Sequence, residues 1–427
     1  MCLYRKAREN ETIQYVDVMS LYPYICKYFK FPIGHPVIHV GDACRDTEAC
    51  LRMEGLIKCS IVPPDKLYNP VLPFRCNNKL MFRLCRTCVH TPSAECTHTE
   101  DEDRAFTGTW VMDEVRLAVQ KGYKILEIYE VYEYQVTQYN PKTGDGGIFV
   151  NYINTFLKLK AEASGYPSWV QSHENEERYV ESFGQSEGIR LDRECNRFNA
   201  SKQVLAKFCL NSTWGKLTEQ NDRTMSKIIT EPKKLYGLLA KPSIEETNLV
   251  FASDYVVWLS WMRAAEEDVP NLRHTIEVIG AYVTAGARIH LYRYPDRLQE
   301  NANYCDTDSV IYIQPNDETE LIETGDKLGD MTSELISEFA SGGSKNFAYR
   351  VVTGTVEKTV CKVRGITLNY SASKLVNFEV IRDMILATGD EPTTVNVHIE
   401  KKIKRKRKGG GGHVSIVTKP EDKIYRI

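Results

Sequence analysis

No apolar run in the 427 residues is long enough to span a bilayer, and nothing after Met1 reads as a secretory leader. A strong field of either sign is also missing: 55 basic and 57 acidic residues leave a formal net charge of −2. Any affinity for nucleic acid must therefore come from local basic surface. No internal repeat is visible, so a stacked-repeat architecture is not expected. A disulfide framework is lacking too. The 13 cysteines are scattered over a long chain, as in a protein whose thiols stay reduced. The expectation is an intracellular protein, nuclear if its source is eukaryotic, with no membrane partner.

What remains is the composition of an ordinary folded protein, 42% hydrophobic and 26% charged, of a length that suggests two or three subdomains. Tyr15-Val16-Asp17-Val18-Met19 reads as a strand, and Asp17 among apolar neighbours asks for a cation. A short helix follows Pro23. From 36 to 106 prolines and cysteines alternate with short apolar runs, which predicts an irregular insertion. Spacing predicts helices over 109–122, 149–162, 199–214, 275–292, 326–339 and 374–387. It predicts β-rich runs over 125–134 and 351–360, and a strand turning helical over 251–265. The polar stretch 164–186 reads as a surface crossing. Seven of the eight residues Lys401 to Lys408 are cationic, just before Gly409 to Gly412. Such a run is usually solvated and mobile, though it can bind nucleic-acid phosphates or act as a nuclear localisation signal.

Three places carry chemistry. Tyr304-Cys305-Asp306-Thr307-Asp308-Ser309 precedes four β-forming residues. If extended, it puts Asp306 and Asp308 on one face. Like charges that close repel, and a hard divalent cation removes the conflict. A polar turn is the alternative. Asp17 and Asp308 lie at strand ends that antiparallel pairing can join, and two metals held there can clamp an in-line phosphoryl displacement. In Lys207-Phe208-Cys209-Leu210-Asn211-Ser212-Thr213-Trp214-Gly215, Lys207 and Asn211 are four apart and Trp214 is seven on from Lys207. An ammonium, an amide and a ring then share one helical face. That suits a nucleotide, but from spacing alone an amphipathic helix with a surface lysine is the simpler reading. Leu205, Phe208 and Cys209 on the other side read as core. Finally Cys85-x2-Cys88 and Cys96-x-His98, with Cys76 nearby, offer four zinc ligands. The short C-x-H spacing favours a loop of reduced thiols instead.

These segments resemble a known family. Asp17-Val18-Met19-Ser20-Leu21-Tyr22-Pro23 resembles the DxxSLYP motif of family B DNA polymerases, Lys207 to Gly215 resembles KxxxNSxYG, and Tyr304 to Ser309 resembles YxDTDS, in the family's order. Leu84-Cys85-Arg86-Thr87-Cys88, Gly108-Thr109-Trp110-Val111 and Lys362-Val363-Arg364-Gly365-Ile366-Thr367-Leu368-Asn369 bring the likeness nearest to the protein-primed branch, among Polinton/Maverick-type elements and related viruses.

The resemblance implies an α/β right-hand fold with a palm sheet, helical fingers, a C-terminal thumb and branch-specific insertions. It implies a first palm segment over 1–35, an insertion with palm elements over 36–148, fingers with a second insertion over 149–250, palm over 251–372, and thumb with basic tail over 373–427. It further implies a DNA-directed DNA polymerase that joins dNTPs to a primer 3′-hydroxyl on a DNA template, using two Mg²⁺ ions, with Mn²⁺ as a substitute. A terminal protein would be a partner, and the first insertion would contact it. The alternative is an inactive remnant that binds nucleic acid or protein.

Residue by residue, Asp17 and Asp308 would hold metal with the Val18 carbonyl, and Asp306 would support them. Ser20 and Leu21 would lie near the nucleotide phosphates. Tyr22 would exclude a 2′-hydroxyl, Lys207 would hold the triphosphate, and Asn211 and Trp214 would line the nucleotide pocket. Lys345, Phe347, Lys362 and Arg364 would contact DNA.

The chain also departs from the pattern. Trp214 stands where the family has tyrosine, and Phe347 replaces the tyrosine of the primer-gripping KxY. Cys195 occupies the place, three helical turns before Lys207, of a second basic phosphate ligand, so Arg193 or Arg197 is expected to substitute. Only 16 residues precede Asp17, so the exonuclease domain usual in the family is not expected in this chain.

Overall fold

Ile13, Val16 and Val18 turn inward from Glu11–Val18 and make it a strand, β1. The computed structural model describes residues 2–77, 79–91, 96–219, 224–263, 275–353, 356–387, 394–407 and 414–427. The chain divides into two units, Arg8–Thr218 with Ile276–Leu335, and Met1–Ala7 with Glu219–Thr275 and Ile336–Ile427. Among the described residues no helix is long and apolar enough to cross a membrane, and all 13 cysteines are free thiols.

The elements of the first unit follow in chain order. After β1 come helix α1 (Leu21–Tyr28), strands β2 (Phe31–Val40), β3 (Gly55–Val62) and β4 (Phe106–Val111), helix α2 (Met112–Gln120) and strand β5 (Lys124–Thr137). Helices α3 (Val150–Ser164), α4 (His173–Glu187), α5 (Ala200–Leu217) and α6 (Glu277–Leu298) follow, then strands β6 (Ala302–Asp306), β7 (Ser309–Pro315) and β8 (Met331–Ser341), whose last residues belong to the second unit.

One sheet runs β6-β7-β1, antiparallel, with Ser309 opposite Asp17 and Pro315 opposite Glu11. Its inward residues Val16 and Val310 pack with Ile25, Ile153, Leu210 and Tyr282 from α1, α3, α5 and α6. This buried layer holds four helices against the strand ends that carry aspartate. The second sheet runs β2-β5-β3-β4 over a separate core of Ile57, Ile61, Trp110, Val115 and Val131.

Several expectations fail here. The stretch 36–106 is not irregular throughout: its run Ile57, Cys59, Ile61 alternates into the sheet core, so β3 is an inner strand, while the described residues between Val62 and Phe106 carry only elements of three to five residues. Of the helix expected over 109–122, only Met112–Gln120 is helical, because 109–111 close β4. The polar crossing over 164–186 holds a helix, α4. Its signals are local: the Ser172 side chain accepts from the Asn175 amide, and Gly188 ends the helix at φ 69°. The region 326–339 is not a helix. Leu335, Ile336 and Phe339 have helical spacing, but Met331–Ser341 is extended as β8 and buries Met331, Ile336 and 338–341. Pairing overrides the local pattern.

The end of α4 is tied down by a buried ion pair. Lys27 is fully buried, and its Nζ donates to the Glu187 carbonyl at 2.7 Å and to Glu187 Oε2 at 3.3 Å. The Leu328 amide donates to Glu187 Oε1 at 2.9 Å. Burial holds the Lys27 pKa below the usual lysine range, against the pull of Glu187. Removing one partner strands a buried charge, which costs about 3–5 kcal/mol. Lys27→Met should therefore lower stability by roughly that amount in urea denaturation, and a change under about 1 kcal/mol would contradict the buried-pair account.

In the second unit, Ile336–Ser341 of β8 pairs with Leu3–Lys6 and with β9 (Phe347–Thr353), and β9 pairs with β10 (Val356–Lys362). Phe378, Ile381, Ala340 and Ala348 form their core. The helix expected over 374–387 is broken in two, Tyr370–Leu375 and α7 (Phe378–Leu386), because Asn377 caps a new helix by accepting from the Val380 amide. Met225–Ile229, Ile244–Ser253 and Val256–Arg263 make a three-stranded sheet, so 256–263 is strand throughout. The basic tail is not irregular along its backbone: Thr394–Arg407 pairs with Val414–Arg426, Lys402 opposite Lys419. The side chains of 401–407, and Lys408 to Gly412 entirely, lie outside the described residues, and with them the nucleic-acid reading of the tail.

Candidate active site

The pairing of β1, β7 and β6 brings the acids together. Asp17 lies opposite Ser309 on β7, and Ser309 lies opposite Asp306 on β6. Directly paired residues of neighbouring antiparallel strands share a face, so Asp17 and Asp306 flank the small Ser309. Asp308 sits in the turn between β6 and β7 and not in an extended run. The alternation expected for Asp306 and Asp308 therefore does not hold. Instead the Asp308 amide donates to the Asp306 carbonyl at 2.6 Å across Thr307, whose φ is +55°. A three-residue turn of this hand is rare and strained, the more so at a β-branched residue. The Asp308 carbonyl in turn accepts from the Val18 amide at 2.8 Å, which locks the turn beside Asp17.

Asp306 is held on both sides: Thr307 Oγ1 donates to Oδ1 at 2.9 Å and the Tyr304 hydroxyl to Oδ2 at 3.4 Å. Burial first, then the charge of Asp308, pushes the Tyr22 phenol above its usual range, with Asp306 adding to it and Arg288 opposing. Tyr15 is raised by burial, and Asp17 and Asp308 both add to the shift. The carboxylates thus converge with two phenols on one negative spot. Half-exposed carboxylate oxygens are hard donors, and such a donor set fits Mg²⁺.

Ser20 starts α1 at φ 56°, a second positive φ close to the acids. Leu21 is buried in the core, so only its backbone is open to a ligand. The Tyr22 ring stacks on Trp214 of α5, centroids 4.6 Å apart and planes 25° apart. Trp214 keeps a donor at this position: its indole N–H is buried and has no acceptor among the described residues. Lys207 and Asn211 are exposed on the same helix. Leu205 and Phe208, expected as core, are 56% and 67% exposed; Ala206 and Leu210 make the inward face.

Arg193 does not stand free for a phosphate. It pairs with Glu177 of α4 at 2.9 Å, and Arg197 is exposed in the loop before α5. The cation beside Lys207 is Lys160 on α3, which the sequence reading missed. Its Nζ donates to Ser20 Oγ at 3.4 Å, and burial, with the charge of Lys207 second, holds its pKa below the usual lysine range. Counting three turns back from Lys207 assumed an unbroken helix, but α5 starts at Ala200, capped by Asn199. The usable signal was a lysine at the end of a helix predicted over 149–162.

The residues expected to contact DNA lie in the second unit. Phe347 is buried and packs on Phe339 and Tyr349, so its ring offers no surface to DNA. The Lys362 ammonium lies 5.4 Å from its centroid. Lys345, Lys362 and Arg364 are exposed, and Arg364, Lys423 and Arg426 line a groove of about 710 Å³. Cys85, Cys88, Cys96 and His98 are brought together, all their ligand atoms within 4.8 Å of one another. Cys76 is apart from them, its thiol 3.4 Å from His90 Nδ1.

The fold is that of the right-hand polymerases. Phi29 DNA polymerase complexed with primer-template DNA and incoming nucleotide substrates is similar over 100% of this chain and 60% of its own, with a TM-score of 0.58 and 16% identity. Phi29 DNA polymerase complexed with single-stranded DNA is similar over 98% of this chain and 60% of its own, with a TM-score of 0.56 and 16% identity. The sequence model of DNA polymerase type B, organellar and viral, matches residues 2–171. A probable DNA polymerase of Neurospora intermedia is 22% identical over 338 residues, covering 78% of this chain and 28% of that protein. The likeness to the type B DNA polymerase model is confined to residues 2–171, and the likeness to the phi29 structures is one of fold. It spans 28% of the fungal relative and 60% of the phi29 enzyme.

Proposed function

We propose that this chain is the polymerase region of a DNA-directed DNA polymerase, which joins a dNTP to a primer 3′-hydroxyl on a DNA template. The observation that carries the reading is the meeting of Asp17, Asp306 and Asp308 at paired strand ends, within the same unit as a stacked Tyr22–Trp214 pair and two neighbouring lysines. Asp17 and Asp308, with the Val18 carbonyl, would hold two divalent cations, Mg²⁺ or Mn²⁺. Bound there, they supply charge neutralisation and a lower pKa for the attacking hydroxyl.

The chain's own groups do the rest. Lys207 and Lys160 would neutralise the triphosphate, and Asp306, pinned by Thr307 and Tyr304, would stay oriented beside Asp308. The primer 3′-hydroxyl loses its proton to solvent, its oxygen forms the bond to the α-phosphorus as the bond to the bridging oxygen breaks, and pyrophosphate leaves with that electron pair. Most of the acceleration is positioning and charge neutralisation. Lys345, Lys362 and Arg364 would contact backbone phosphates, with Phe347 beneath them as packing. Initiation from the hydroxyl of a terminal protein is the finer reading, and it rests on the segments Leu84 to Cys88, Gly108 to Val111 and Lys362 to Asn369. A covalent protein–nucleotide product in a reaction without DNA primer tests it.

Trp214 fixes the Tyr22 ring, so the ring can act as a wall under the sugar. Tyr22→Ala should weaken discrimination against ribonucleotides by about tenfold or more, or at least about 1.4 kcal/mol. Tyr22→Phe, which keeps the stacked ring, should not. Equal discrimination in Tyr22→Ala and the wild type, measured as the ratio of kcat/KM for dNTP and rNTP, would remove the steric role.

A further inference from the structure

Three thiols surround one imidazole nitrogen in the segment after β3. The Sγ atoms of Cys85, Cys88 and Cys96 lie 3.7, 3.6 and 3.7 Å from His98 Nδ1. Hydrogen bonding cannot account for this. A neutral Nδ1 offers either one proton or one lone pair, so it serves one thiol and not three at equal distance. A tetrahedral cation does account for it. With Zn–S about 2.3 Å and Zn–N about 2.0–2.1 Å, a tetrahedral angle sets S···N at about 3.6 Å. Among the described residues this is the only group of three or more such side chains whose ligand atoms all lie within 4.8 Å of one another.

We infer that these four side chains bind one Zn²⁺ as a closed, structural Cys3His site. The local fold explains the ligand choice. Cys85 precedes the helix Arg86–His90 and Cys88 sits in its first turn, so both thiols point to one spot. Cys96 and His98 are two apart, and that short loop brings the ring in through Nδ1, the nitrogen nearer the backbone. Cys85 and Cys88 are buried and form no disulfide, so both sulfurs remain available as ligands. Four protein ligands leave no open position, which makes the site structural and not catalytic.

The surrounding contacts say what the ion holds. Thr87 Oγ1 donates to the Asp103 carbonyl at 2.8 Å and Arg86 Nη2 to the Glu102 carbonyl at 2.9 Å. Arg104, one residue further, donates to the carbonyls of Pro63 and Pro64 at 3.1 and 2.8 Å and pairs with Asp65. The ion thus ties the Cys85 helix to the segment that Arg104 anchors on the end of β3. This role is independent of nucleotide chemistry.

The full chain, purified without chelator, should contain one zinc per chain by elemental analysis. Replacement by Co²⁺ should give the intense visible bands of tetrahedral thiolate coordination. Cys88→Ser and His98→Ala should each lose the metal, whereas Cys76→Ser, whose thiol faces His90, should keep it. If the two ligand variants fail to fold, the wild-type stoichiometry and cobalt spectrum still decide. A folded wild type with neither zinc nor a thiolate-to-cobalt spectrum on titration would overturn the assignment, as would full zinc content in Cys88→Ser.

Discussion

Asp308→Asn should reduce primer extension by about 10³-fold or more while leaving the fold intact. The carboxylate lies in the turn locked to Val18, and its loss removes the charge that would hold a cation. Lewis-acid stabilisation is worth several kcal/mol, and each 1.4 kcal/mol is about tenfold in rate. Asparagine keeps the shape and the strained turn, so circular dichroism and thermal unfolding should match the wild type. Asp306→Asn should act less, because Asp306 is already held by Thr307 and Tyr304. The order of the two effects is informative. Equal losses would mean that both carboxylates hold metal.

Lys207→Ala and Lys160→Ala should each lower kcat/KM for dNTP by about 10- to 100-fold, since a hydrogen bond to a charged group contributes about 1.5–3 kcal/mol. Both changes should appear mainly in KM for dNTP, with DNA affinity unchanged. The two ammonium groups interact, so the double variant should fall short of the product of the single effects. The sign of the pH dependence follows from Lys160. Burial, with Lys207 second, holds its pKa below the ordinary lysine value of 10.5, so it loses its proton at lower pH than a free lysine. The phosphate contact is fully present below that pKa and is lost as pH rises through it, so KM should climb on the alkaline side. Lys160→Arg stays protonated and should move the climb to higher pH. Arg193→Ala, by contrast, should leave KM nearly unchanged, because that guanidinium serves Glu177.

The site was largely legible in the sequence because its pieces are short, local and chemically specific. Asp17 in an apolar strand asks for a cation, the two acids before Val310 fit either a metal or a polar turn, and the pairing of Ser309 with Asp17 brings the three together. Lys160 was not legible from Lys207, because the distance along the chain crosses α4 and a non-helical stretch before α5. Whether a lysine on α3 reaches Ser20 depends on how α3 and α5 pack, which no local spacing records. The same limit explains β8, where helical spacing of Leu335, Ile336 and Phe339 lost to strand pairing, and α5, where Phe208 and Leu205 read as core but face solvent. The Cys85–His98 cluster went the other way. Its spacing favoured a thiol loop, and only the three near-equal distances to one nitrogen favour a metal.

The most direct test is extension of a primed DNA template by the purified chain in Mg²⁺ and in Mn²⁺. The account predicts template-directed addition of dNTPs that Asp308→Asn abolishes. Tight DNA binding without incorporation in either metal, by a chain that is folded, would contradict it.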